Sequence, residues 1–127
     1  MASARPLLLA CAVILSSCDV NLFGWKAVAG GYYLDDWREG EPAYILFPPD
    51  GGSVESPEIR VDQLGWKKPL IVVRPEGSAD EWIVIDTRMK QRVTISDAQR
   101  KADPNYRDIT VYAAADAWNR LRRSKQW

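Results

Sequence analysis

Four carboxylates fall within seven residues of the stretch YYLDDWREGE: Asp35, Asp36, Glu39 and Glu41, with Trp37 among them. Two carboxyl groups can cleave a glycosidic bond, and an aromatic ring can seat the sugar, but the pair must stand at a set separation across a cleft. Adjacent side chains on a strand point to opposite faces, so Asp35 and Asp36 make a poor pair and the cluster reads as a polar hairpin turn. No D-x-D-x-D-G run of the kind that wraps calcium is present. The chain has no His, which removes the commonest general base and metal ligand. The composition therefore points away from an enzyme. No catalytic residue, metal or cofactor is assigned.

The chemistry that remains is at Cys18. Cys11 and Cys18 are the only two cysteines. The chain opens MASARP, with Arg5 and the terminal amine as its charges, continues with apolar residues 7–15, and then reads Ser16-Ser17-Cys18. A charged start, a short apolar run and small residues before a boundary form a secretory signal peptide. The run falls well short of the about 20 apolar residues that span a bilayer. Leu15-Ser16-Ser17-Cys18 resembles the lipobox of bacterial lipoproteins. The resemblance implies cleavage between Ser17 and Cys18, a diacylglyceryl thioether on the Cys18 thiol and, in many bacteria, an acyl (palmitate-type) group on its new amine. Each buried CH₂ contributes about 0.8 kcal/mol, and two or three chains hold where one holds only marginally. The expected location is a bacterial cell membrane, lipid-anchored on the extracytoplasmic side. Asp19 resembles the inner-membrane retention signal of enterobacterial lipoproteins, and the choice of membrane stays open.

On this reading residues 1–17 are a signal peptide, 18–25 a lipidated cysteine and tether, and 26–127 one globular domain. Cys11 leaves with the signal and Cys18 carries lipid, so the mature chain has no thiol for a disulfide, a nucleophile or a metal. All six Trp, five Tyr and two Phe lie in the mature part, which is too apolar for disorder. Its charge is uneven. Residues 19–62 hold nine acids and three bases, and residues 63–127 hold eight acids and thirteen bases. The Arg120, Arg122, Arg123 and Lys125 cluster could face the anchor or an acidic partner. Nucleic acid is not an expected partner.

These residues are positioned by a small sheet. KAVAGGYYLDDW reads as strand, with Gly30-Gly31 marking a bulge or a close approach of backbones. PAYILFPPDGG is a strand stopped by prolines and glycines. EIRVDQLGW alternates Ile59, Val61 and Gln63 against Arg60, Asp62 and Leu64. Residues 70–73 and 82–85 are β-branched runs around a turn-rich loop and form a central hairpin, followed by a weaker strand over 92–95. Ser96 and Gln99 make a capping box for a helix that Pro104 keeps short. Residues 109–112 suit strand or helix, with a strand or extended entry favoured. Ala114, Ala117, Trp118 and Leu121 then recur at helical spacing. The expected fold is α+β, an antiparallel β-meander of about five strands with a C-terminal helix packed on one face. An all-β blade-like sheet is the alternative. Trp66, Trp82 and Trp118 are expected in the core, and Trp25, Trp37 and Trp127, at element ends, on the surface.

The mature chain also resembles a loose family of small, uncharacterised bacterial lipoproteins. The carrying residues are Gly31-Tyr32-Tyr33-Leu34-Asp35-Asp36-Trp37, the Gly51-Gly52 turn, Leu64-Gly65-Trp66 and Trp82-Ile83-Val84-Ile85-Asp86. Leu64 stands where the family has Ile. The resemblance implies a sheet with aromatic anchors and brings no activity. The expected function is a non-enzymatic binding module of the cell envelope that contacts the membrane through lipid on Cys18 and an envelope protein through Trp25, Trp37, Asp35, Asp36 and the basic cluster. The alternatives are a periplasmic inhibitor or immunity-type lipoprotein and a carboxylate-dependent hydrolase.

Overall fold

In the computed structural model the described residues are 25–123. Residues 1–24 and 124–127, with Ser17, Cys18, Lys125 and Trp127, lie outside them, as do the side chains of Arg122 and Arg123. The elements are β1 (Trp25–Ala29), β2 (Tyr32–Trp37), β3 (Ala43–Phe47), β4 (Ile59–Lys67), β5 (Leu70–Pro75), β6 (Glu81–Asp86), β7 (Gln91–Ser96), α1 (Asp97–Ala102), α2 (Pro104–Arg107), β8 (Val111–Ala113) and α3 (Ala114–Arg123). Strands β1 to β7 pair in sequence order, all antiparallel, and β8 pairs with β4. The fold is an α+β meander with a C-terminal helix, as expected, but with eight strands in place of about five.

The extra strands have identifiable causes. Gly30 and Gly31, at φ +55 and +85, form the two-residue turn of a hairpin, so one expected strand becomes β1 and β2. The close neighbour at this pair is a side chain in place of the expected backbone: a Cβ on Gly30 would overlap the Thr87 side chain. Trp25, included in the tether reading, is the first residue of β1. Residues 111–113 form β8.

The β4 strand departs from simple alternation. Ile59 and Val61 are buried, but so are Leu64 and Gly65, because the register with β5 slips between Val61 and Gln63. This bulge at Asp62 puts Leu64 on the same side as Ile59 and Val61, in place of the side shared with Arg60. A bulge bends its strand and increases twist. Here it lies where β4 passes from β3, paired at Ile59 and Arg60, to β8, paired at 63–65. Arg74 of β5 donates from Nε to Asp62 Oδ2 at 2.8 Å and holds the bulged residue.

The sheet curls around a core of Val28, Leu34, Leu46, Val61, Leu64, Ile71, Val73 and Ile85, into which α3 lays Ala117, Trp118 and Leu121. The curl brings the β1–β2 turn against the β6–β7 turn through Gly30 and Thr87. The opposite face of β5 and β6 carries a second core, Val72, Trp82, Val84 and Ile109, partly covered by Tyr106 and Ile95. Segment 97–110 is fastened there. The Ser96 hydroxyl accepts from Gln99 N–H, and Gln99 Oε1 accepts from Ser96 N–H, completing the capping box. The Trp82 indole donates to Asp97 Oδ1 at 3.0 Å, and the Arg100 guanidinium lies 4.2 Å from the ring centroid. Trp82 and Trp118 are buried, and Trp66 is half-buried against Tyr112.

Candidate functional site

The first three strands turn one face to the core and the other away from it. Register identifies the outward residues: Trp25 opposite Asp35, Tyr33 opposite Phe47, Asp35 opposite Ile45 and Trp37 opposite Ala43. Across this face runs a row of rings. Trp25 and Tyr33 have centroids 5.1 Å apart, and Tyr33 stacks on Phe47 at 5.3 Å with 16° between planes. Such contacts add about 0.5–1.5 kcal/mol each beyond area burial. The row links three strands and leaves Trp25 at 41 % and Trp37 at 39 % exposure, well above the buried Trp82 and Trp118.

Asp35 sits in the same face, half-buried, beside the rings. Burial raises its pKa, the Asp36 charge adds to this, and a hydrogen bond from the Asp36 backbone opposes it. Asp36 points to the other face, where Arg38 Nη2 meets its Oδ2 at 2.8 Å. The two carboxylates are therefore not a pair across a cleft. Glu39 and Glu41 are exposed in the following turn. Among the described residues no group of three His, Cys, Asp or Glu side chains comes close enough to hold a metal ion.

Of the residues singled out from sequence, the fold brings Trp25, Asp35 and Trp37 together on one face and separates Asp36 from them. Arg120 lies elsewhere, stacked 4.2 Å from the Tyr112 ring beside a shallow cleft that Trp66 and Lys67 also line. Arg122 and Arg123 occupy the last turn of α3. The sequence reading missed Tyr33 and Phe47, which complete the row. Tyr33 carries a signal in hindsight, two residues before Asp35 and four before Trp37, the spacing of one strand face.

Comparison with family models, with curated proteins and with solved structures returned no match. No described helix is long and apolar enough to cross a membrane.

Proposed function

We propose that this chain is a lipid-anchored, non-catalytic binding module of the bacterial envelope, and that the outer face of β1–β3 is its contact surface for an envelope protein. The observation that carries the reading is the aromatic row Trp25–Tyr33–Phe47, exposed at Trp25 and half-buried at Tyr33 and Phe47, with half-buried Asp35 and exposed Trp37 on the same face. Trp and Tyr are the residue types that dominate protein-interface energetics, and here they are held against one another on one face. The half-buried Asp35 favours a partner that offers a cation, because ion pairing would lower the cost of its charge. The same carboxylate disfavours an anionic headgroup layer as occupant. Attachment at Cys18 supports this geometry. Trp25 lies seven positions after Cys18, a span of about 25 Å when extended, so the aromatic face stays within reach of the membrane surface.

Two measurements test the reading. Mass spectrometry of the mature N-terminus is expected to find Cys18 diacylated, and Cys18→Ala to leave the precursor unprocessed; a free Cys18 removes the anchor. A photoreactive residue at position 37 of the anchored protein is expected to give a discrete protein adduct in native membranes. Asp35→Lys should abolish that adduct, and a probe at Met89 should not form it. Adducts with lipid alone at position 37 would make the face a membrane seat and overturn the protein partner.

A further inference from the structure

A second feature lies at the rim of the core, where the β1–β2 turn, the loop after β3 and the β6–β7 turn converge. They enclose a cavity of about 290 Å³, near the lower end of the range for small-molecule sites. Its apolar walls come from Tyr32, Pro48 and Pro49, and its charged groups are Asp50, Lys90 and Arg92. The lining is thus net positive by one charge. Asp50 is partly engaged, since its Oδ1 accepts from Gly52 N–H at 3.1 Å.

Arg92 makes the cavity more than a surface dent. It stands on β7 opposite Ile85, a core residue, and so points to the inner face of the sheet. Its guanidinium lies 5.9 Å from the Tyr32 ring centroid. Its Nε and Nη2 are buried and have no hydrogen-bond partner. Arg74, on the next strand but one, shows the usual solution: the same two nitrogens of its fork are both bound to one carboxylate oxygen. Buried donors without partners are costly, and more so on a charged group. Neighbouring Lys90 adds a second cation from a left-handed turn position at φ 54. A cation with unsatisfied donors, a ring beside it and two prolines across from it form the complement of a carboxylate carried on an apolar body.

We infer that this cavity binds a small organic carboxylate, with Arg92 taking the carboxylate and Tyr32, Pro48 and Pro49 packing its apolar part. The site is separate from the aromatic face and does not depend on the partner proposed for it. An inward-pointing Arg on an edge strand can also serve only to discourage strand pairing between molecules, and the experiment distinguishes the two.

The full chain, held in a non-ionic detergent, is titrated at constant ionic strength with sodium benzoate, with benzamide as neutral isostere and with inorganic phosphate. Amide resonances and thermal unfolding are followed. Benzoate is expected to shift the amides of Gly30, Asp50 and Thr87 saturably and to raise Tm, while benzamide does neither and phosphate binds more weakly. Arg92→Gln should weaken benzoate binding by about tenfold or more. Lys90→Gln, which removes the charge and replaces one unbranched side chain with another at this left-handed position, should weaken it by about twofold to fivefold. The proposal is overturned if benzoate produces no saturable shift at those amides, if Arg92→Gln binds as well as the wild type, or if benzamide matches benzoate. Equal binding of phosphate would overturn the apolar body.

Discussion

Asp35 and Asp97 are carboxylates whose surroundings push them in opposite directions. Burial beside the aromatic row raises the pKa of Asp35, with the Asp36 charge adding to it. A hydrogen bond from Lys101 lowers that of Asp97, helped by the Trp82 indole and the Arg100 charge and opposed by desolvation. A raised carboxylate pKa means that the charged form destabilises the fold; the cost is present above the folded pKa and is gone below the unfolded value of 3.8. A depressed pKa stabilises above 3.8 and loses that stabilisation as pH falls through the folded value. Asp35→Asn is therefore expected to raise Tm at neutral pH, with the gain vanishing in acid. Asp97→Asn should lower it at neutral pH, with the deficit shrinking below pH 3.8. Thermal unfolding followed by circular dichroism across this range checks both signs. A carboxylate kept at a stability cost on an exposed face fits a binding role for Asp35, and Asn there should weaken adduct formation at position 37 even as it stabilises the domain.

Elements were legible in the sequence where local chemistry decides them. The β5–β6 hairpin is read from two β-branched runs around a turn-rich loop, and its register pairs Ile71 with Ile85 and Val73 with Ile83. The α1 cap is read from Ser96 and Gln99, and α3 from its apolar spacing. The departures arise where the tertiary fold decides. Gly30-Gly31 suits a bulge or a turn equally well, and the sheet's need for a first hairpin selects the turn. The phase slip at Asp62 has no local cause, because it serves the bend of β4. The aromatic face was legible only in part for the same reason: Trp25 and Trp37 stand out by position, whereas Phe47 joins Tyr33 through strand pairing. Gly65 shows how tightly the elements close. A Cβ there would lie 2.5 Å from the Thr110 carbonyl oxygen and 2.9 Å from Val111 Cγ1. Gly65→Ala must push β8 away from β4, and overpacking of this kind costs about 1–3 kcal/mol. A domain of this size should then lose about 10 °C in Tm, with the loss of β8 pairing visible at the Val111 and Tyr112 amides. An unchanged Tm would mean that β8 is not held where the register places it.

At the scale of the whole molecule, the aromatic face and the rim cavity occupy different places on one curled sheet. The rings face outward from β1–β3, and the cavity opens between turns at the rim. Arg74, Arg100 and Lys101 are drawn to Asp62 and Asp97, and Arg120 lies on Tyr112. One feature joins everything else. Strand β4 is hydrogen-bonded to β3 over its first residues and to β8 over its later ones, with β5 along its other edge. Gln63, Leu64 and Gly65 have strand partners on both sides. The first three strands cannot come loose as a separate block without exposing the strand on which the seven elements that follow it depend. Such a spine makes the domain a single cooperative unit. The amides of Leu64 and Gly65 would then exchange with solvent deuterium only when the whole chain opens, at a rate that reports its global stability, and a ligand held at either site would slow that exchange by the full free energy of its binding.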